Sequence, residues 1–298
     1  MSVPRLAAGR LRQRQQRGRP RWRRAAGVPR RRPALLRPPV AGRLHDEVAL
    51  VTGSTRGLGR EIARLFAEEG ARVVVTGRNE QRGGEIVDSI TAAGGEALFV
   101  PADLGDEEQC EALVEAAGLR FGPLTVLVNN AVTGGRDAGD GPVADVSPWA
   151  LESILRVNLV AVATLCRLAI PQMLTAGHGS IVNISSRAAE LATPRLAAYA
   201  ASKGGLNALT RSITVDFARQ GIRCNTVQPG YILHEVRDAD LTDERRQRLE
   251  EMHLTRLATA TDVAYAALFL ASREAEVISG VTLPVDGGST AARARRMG

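Results

Sequence analysis

Seven short runs of β-branched and other apolar residues, each separated from the next by a longer stretch with helical periodicity, constrain this chain more than any other feature. The runs are EVALVTG (47–53), RVVVTG (72–77), ALFV (97–100), LTVLVNN (124–130), SIVNIS (180–185), IRCNTV (222–227) and GVTLPV (280–285). They are apolar at nearly every position rather than at alternate ones, which predicts strands buried on both faces. Between them, segments such as GREIARLFAEEG put Ile62, Ala63, Leu65 and Phe66 on one helical face, and Gly70 follows where a helix C-terminus favours glycine. Such alternation predicts an α/β fold, a parallel sheet covered by helices on both sides in one domain over residues 44–298, with no internal repeat.

The segment before that domain has a different character. Residues 1–44 hold 14 of the 38 arginines and no acid, so the formal charge of +7 hides a body with 25 basic and 32 acidic residues, net −7. Six of the 14 prolines also fall there, and residues 1–43 are expected to be disordered. Dense arginine could attract phosphates without sequence specificity. No folded recognition element accompanies it, so a solvated leader, or upstream sequence ahead of a start near Val28 or Val40, is the preferred reading and no nucleic-acid partner is expected. No uninterrupted apolar run approaches the roughly 18 residues of a membrane span. Cys110, Cys166 and Cys224 are odd in number and form no CxxC pair, which points to a reducing, cytoplasmic setting. His45, His178, His234 and His253 show no metal-ligand spacing, and no metal is expected.

The first strand runs into TGSTRGLG (52–59) and then directly into a helix. Gly53, Gly57 and Gly59 let the backbone turn tightly and approach a pyrophosphate at the positive end of that helix. A dinucleotide site selective for NAD carries an acid about 20 residues further on, at the end of the second strand, to hold the ribose 2′-hydroxyl. Gly77 occupies that slot, Arg78 follows it, and Arg56 sits in the glycine loop. Two guanidiniums can hold a 2′-phosphate bidentately, so the cofactor is expected to be NADP(H) rather than NAD(H), although in so arginine-rich a chain either could be there by chance.

At the other end of the chain, SSRAAELATPRLAAYAASK places Ser186 thirteen residues before Tyr199, and Lys203 four after it. Lys203 is the only lysine among 39 basic residues. The i to i+4 spacing puts Tyr199 and Lys203 on one face of a helix begun near Ala197. A free phenol titrates near 10, and bringing it within two or three units of neutral working pH takes roughly 3 to 4 kcal/mol. An ammonium near 4 Å supplies about 4 kcal/mol at an effective dielectric of 20. Tyr199 is therefore a candidate acid or base for a carbonyl or carbinol oxygen, with Ser186 the hydrogen-bond donor that positions it. Taken singly, such a tyrosine is more often packing and such a serine more often a turn residue.

Together these residues resemble the short-chain dehydrogenase/reductase family over roughly residues 45–291, in family order: TGSTRGLG, Asp103 in PADL, NNA (129–131), Asn158 in RVNL, Ser186, YAASK, PG (229–230) and DGG (286–288). The resemblance implies a Rossmann-type, doubly wound sheet of seven parallel strands in the order 3-2-1-4-5-6-7, and a catalytic tetrad of Asn158, Ser186, Tyr199 and Lys203. In that family the lysine also holds the nicotinamide ribose, and the asparagine connects it to a water chain. Cofactor contacts implied on the same basis are Ser54, Thr55 and Leu58 of the glycine loop, Leu104 beside the adenine-contacting Asp103, and Asn130 with Ala131. Pro229, Gly230 and Ile232 complete that set. Two departures stand out: Val132 where NNAG is common, and His234 where a threonine is common.

The resemblance leans toward 3-oxoacyl-carrier-protein reductases and sugar-acid dehydrogenases of the gluconate 5-dehydrogenase type, acting on a small carbonyl or alcohol substrate in a homo-oligomer, a dimer or tetramer. A helix expected after Thr242 belongs to the family's substrate flap, and Tyr231, Leu233, His234, Leu191, Leu196 and Val132 are candidate pocket residues. Arg187 and Arg195 could meet an acidic substrate, though surface arginine is the plainer reading. The alternatives are an NAD-linked steroid or cyclic-alcohol dehydrogenase, and an NADPH-binding regulatory or scaffold protein without turnover. The last would need the glycine loop but no Ser, Tyr and Lys in this spacing.

Overall fold

The computed structural model describes residues 42–233, 238 and 241–291, so most of the arginine-rich segment, His234 and the C-terminal end fall outside the described residues. Gly42 and Arg43, the last residues of that segment in sequence terms, are tied to the domain. The Arg43 backbone N–H donates to Glu69 (2.8 Å) and its guanidinium pairs with Glu274.

Seven strands form one parallel sheet: β1 (Val48–Val51), β2 (Arg72–Gly77), β3 (Glu96–Pro101), β4 (Val126–Asn129), β5 (Gly179–Ile184), β6 (Ile222–Pro229) and β7 (Thr282–Val285), in the order β3-β2-β1-β4-β5-β6-β7. Parallel neighbours cannot be joined by tight turns, so each passage between strands carries a crossover. The crossovers hold α1 (Gly57–Glu68), α2 (Glu80–Ala92), α3 (Glu107–Phe121), α4 (Pro148–Leu155), α5 (Ala161–Ala176), α6 (Ala197–Phe217), α7 (Asp243–Glu251) and α8 (Ala260–Ala271).

Successive residues of a strand point to opposite faces, and the core divides accordingly. Ala49 and Val51 join Ile62 and Phe66 of α1 and Leu268 of α8 on one side, while Val48 and Leu50 join Leu113 of α3 and Leu165 and Met173 of α5 on the other. The central strands are buried on both faces as their composition predicts. The edge strands β3 and β7 are only half-buried despite similar composition, because an edge has a neighbour on one side only.

One helical run among the described residues, Pro148–Ala176, is long and apolar enough to cross a membrane by length and composition alone. No unbroken apolar stretch announces it, since Glu152, Arg156 and Arg167 interrupt the run. It is a core helix: Leu165, Cys166, Ala169, Ile170 and Met173 are buried in the layer above the sheet. Between α4 and α5 it passes through a π turn at Arg156–Val160, which carries the fully buried Asn158. Such single-turn irregularities recur at functional sites.

Between β1 and β4 the order of connection reverses, so the loops leaving their carboxyl ends go to opposite sides and open a crevice there. Leu127, fully buried in β4, sits at the centre of the layer facing α3 and α5. Leu127→Ala is expected to cost about 2 to 5 kcal/mol, read as a lower urea midpoint with an unchanged slope; a midpoint within error of wild type would contradict this core.

Candidate active site

The glycine loop lies at the mouth of the crevice. Gly53 and Gly57 have φ of +63° and +53°, where a side chain is strained. Gly59 is required for another reason: a Cβ there would lie 2.3 Å from the Gly53 carbonyl oxygen and 2.4 Å from Asn130 Nδ2. Two residues of the β4 end brace the loop. Asn130 Nδ2 donates to the carbonyl of Thr52 (2.8 Å), and Thr52 Oγ1 accepts from the N–H of Asn130 (2.9 Å) and of Ala131 (3.0 Å). Ser54 is turned inward, its hydroxyl donating to Val51 O (2.6 Å) and accepting from Thr76 N (3.0 Å). The side chains of Ser54 and Asn130 therefore shape the loop, and any cofactor contact from Ser54 is through the backbone.

Helix α1 starts at this loop with no side-chain cap from Arg56 and no acid in its first turn. A bare helix N-terminus beside a braced, glycine-rich turn fits a dinucleotide pyrophosphate. At the end of β2, a Cβ on Gly77 would meet the Thr55 side chain at 2.9 Å, so an acid at this position would require Thr55 to shift. Arg78 is exposed and its guanidinium lies 3.9 Å from the Asp103 carboxylate, a long surface pair of little energy. Asp103 Oδ1 also accepts from Gly105 N (2.9 Å), which holds the carboxylate at the end of β3. Leu104 packs against the core, with its carbonyl facing Cys110.

Helix α6 brings Tyr199 and Lys203 together. Lys203 is 2% exposed, its Nζ donates to Ile184 O at the end of β5 (2.7 Å) and lies 5.8 Å from the Tyr199 ring centroid. At that range two unit charges interact by about 3 kcal/mol at an effective dielectric of 20. Burial lowers the lysine from its usual 10.5 to about 8, so it remains mostly an ammonium at neutral pH. Ser186 follows β5, and the short turn Arg187–Ala189 that it begins packs against α6. Its Oγ accepts from Ala188 N (3.1 Å).

Asn158 is bonded to the loop after β4 and to α6. Its Nδ2 donates to Thr133 O (2.7 Å) and Ser202 Oγ (3.1 Å), and its Oδ1 accepts from Thr133 N (2.9 Å). The carboxamide thus fixes the loop after β4 from both sides of one residue. That loop leans on the tyrosine: a Cβ on Gly134 would lie 2.8 Å from Tyr199 Cδ2.

The Pro229–Gly230 turn closes the far wall. A Cβ on Gly230 would meet Asp286 Cα and His253 Nε2, both at 2.9 Å, so glycine is required there. Sequence reading gave His253 no role. Its Nδ1 lies 2.6 Å from Leu249 O and its Nε2 accepts from Tyr231 N (3.4 Å), so one imidazole ties the end of α7 to this turn. The buried Asp286 of DGG accepts from Gly288 N, Thr290 N and the hydroxyls of Ser289 and Thr290; these bonds hold its carboxyl below the usual range although burial opposes them. Ile232 bridges to Ala258 and packs on the core. A lone histidine offered no spacing by which sequence could have singled it out.

A braced glycine loop at the switch point, with a Ser, Tyr and Lys group across the crevice, defines a nicotinamide-dependent oxidoreductase. A family model described as enoyl-(acyl carrier protein) reductase matches residues 53–290. The chain is 37% identical over 249 residues to 2,5-dichloro-2,5-cyclohexadiene-1,4-diol dehydrogenase LinX of Sphingobium indicum, spanning 84% of this chain and 98% of that one. It is 36% identical over 242 residues to 3-oxoacyl-[acyl-carrier-protein] reductase FabG of Staphylococcus aureus, spanning 80% and 96%. Its structure is similar to that of a gluconate 5-dehydrogenase from Burkholderia cenocepacia in complex with NADP and tartrate, with a TM-score of 0.78 and 34% identity over 84% of this chain and 97% of that one. The chain belongs to the short-chain dehydrogenase/reductase family, and it moves a hydride between a nicotinamide cofactor and an alcohol or ketone.

The lowered lysine gives a signed pH effect. Below about pH 8 both folded and unfolded chains carry the Lys203 proton. Between about 8 and 10.5 the unfolded chain keeps it and the folded chain does not, so stability rises with pH across that window. Relative to Lys203→Met, wild type is expected to gain on the order of 3 kcal/mol there, measured by urea unfolding without cofactor; parallel curves for the two proteins would refute the buried charge.

Proposed function

We propose that this protein is an NADP(H)-preferring carbonyl reductase or secondary-alcohol dehydrogenase, with Tyr199 as its acid and base. The observation that carries the reading is the buried ammonium of Lys203 beneath the Tyr199 ring, held by Ile184 O. When bound, the nicotinamide donates a hydride to the carbonyl carbon or accepts one from the carbinol carbon. Tyr199 passes its proton to the carbonyl oxygen in reduction and takes it back in oxidation. The Lys203 charge stabilises the phenolate so formed. Ser186 donates a hydrogen bond to the substrate oxygen. Asn158 acts through Thr133, holding the loop against which the tyrosine rests. The cofactor would be held by the Gly53–Gly59 loop and Ala131 at its pyrophosphate, by Asp103 at its adenine, and by Lys203, Pro229 and Gly230 at its nicotinamide end.

The preference for the phosphorylated cofactor rests on Arg56 and Arg78 and on glycine standing at position 77 in place of an acid. The domain is taken as residues 44–298, supported by the family match over 53–290. A sugar-acid or 3-oxoacyl type of substrate is favoured by the named relatives; Arg187 and Arg195, within the segment between Ser186 and Tyr199, are available to an acidic substrate. The cyclic diol named for one relative sustains a second reading, a cyclic alcohol, which exposed Val132 and Leu191 would suit. Exposed Trp149, Val160 and Val215 support a homo-oligomer, dimer or tetramer, and three free, buried cysteines suit a cytoplasmic location.

Tyr199→Phe is expected to lower kcat at least a thousandfold while the cofactor dissociation constant changes less than threefold; near-normal turnover would refute the mechanism, whereas wild-type protein that binds NADPH but turns over no ketone or alcohol would favour a regulatory protein. Catalytic efficiency with NADPH is expected to exceed that with NADH at least tenfold, read at 340 nm; equal efficiencies would overturn the arginine reading.

A further inference from the structure

The start of α6 has no cap of its own. Leu196 at the N-cap position offers no side-chain acceptor, and the first turn contains no acid. The N–H groups at a helix start need partners from elsewhere, and here one short segment of the loop after β4 provides them. Ala197 N donates to Gly141 O (3.2 Å), Ala198 N to Asp140 Oδ1 (3.0 Å) and Tyr199 N to Asp140 Oδ2 (3.1 Å). Asp140 is 6% exposed, and its Oδ1 also accepts from Gly141 N (3.0 Å). Its backbone is fixed in turn by donation to Gly135 O (3.1 Å). The carboxylate comes from a position 59 residues before the tyrosine whose N–H it holds.

We propose that Asp140 is a positioning residue for the reaction, setting where the Tyr199 phenol stands in the crevice. The inference rests on the reading of Tyr199 as the acid and base. One carboxylate grips two consecutive amides, the second belonging to the tyrosine itself, so rotation or fraying of the first turn of α6 is blocked at the residue that matters. A negative charge at a helix N-terminus is also favourable electrostatically. The same loop holds the ring, since Gly134 abuts Tyr199 Cδ2 and Asn158 fixes Thr133. Backbone and ring of the tyrosine are therefore set by the two limbs of one loop, with the Asp140 side chain spanning to its amide. A misplacement of about 1 Å in a reacting group can cost on the order of a hundredfold in rate.

The test uses the full-length enzyme with NADPH and any ketone it reduces. Asp140→Ala is expected to lower kcat ten- to a hundredfold, with the NADPH dissociation constant and substrate KM within threefold of wild type. Hydrogen exchange at the Ala198 and Tyr199 amides should accelerate at least tenfold, while the Gly53–Gly59 amides keep their rates. Asp140→Asn, which retains one acceptor oxygen, should recover at least threefold of the lost kcat, and it carries the same test should the alanine variant fail to fold. A kcat within twofold of wild type, or a loss of kcat without faster exchange at Ala198 and Tyr199, overturns the inference. So does a fall in cofactor affinity that matches the fall in kcat. Tyr199→Phe run alongside separates the two readings: if it stays active the role of the tyrosine fails, whereas the exchange rates still report whether Asp140 holds its amide.

Discussion

Parallel strands cannot be joined by hairpins, and every other feature of this protein descends from that constraint. Each crossover has to climb a face of the sheet and return, which puts helices on both sides and loops at the two ends. Central strands then have water on neither face, so they carry apolar residues at every position, and the residues of β1 divide between two cores. At one point the winding changes direction, and there the loops after β1 and β4 part. The crevice is a consequence of the topology before any functional residue is placed in it.

The two sides of that crevice do different work. On the dinucleotide side, side chains are kept away: Gly59 and Gly77 are sites where a Cβ would collide with backbone or with Thr55, and Ser54 is folded inward. The surface offered is peptide N–H and an uncapped helix end. On the chemical side, an ammonium is buried beside the Tyr199 phenol, and burial lowers its pKa to about 8. Arginine could not replace it. A guanidinium is larger and planar, and it stays protonated where a lysine can join a proton relay. On the proposed mechanism, that chemistry explains why one lysine is kept at this position in a chain whose other 38 basic residues are all arginine.

Buried polar groups tie the two sides together. Thr52 and Asn130 lock the glycine loop to the end of β4, Asn158 locks the next residues of the same connection, and Asp140 locks its far limb to the start of α6. A displacement of the loop after β4 is thereby felt both at the phosphate cradle and at the tyrosine. His253 plays a comparable part at the remaining wall, joining α7 to the Pro229–Gly230 turn through both ring nitrogens.

Sequence alone determined the α/β class, the seven strands, the glycine loop and the Tyr199 and Lys203 pairing, because each of these depends on neighbours a few residues apart. Periodicity, tight turns and i to i+4 faces are local properties. It also determined that no acid stands at position 77, while the contact that a side chain there would make with Thr55 appeared only in three dimensions. The half-exposed edge strands, the inward turn of Ser54, the clamp of Asn158 on Thr133 and the capping of α6 by Asp140 were decided by tertiary structure. The three hydrogen-bonded arrangements join residues distant in the chain, up to 59 positions apart, and such a bond leaves no period or spacing in the sequence that makes it, while the exposure of an edge strand depends on where the sheet places it.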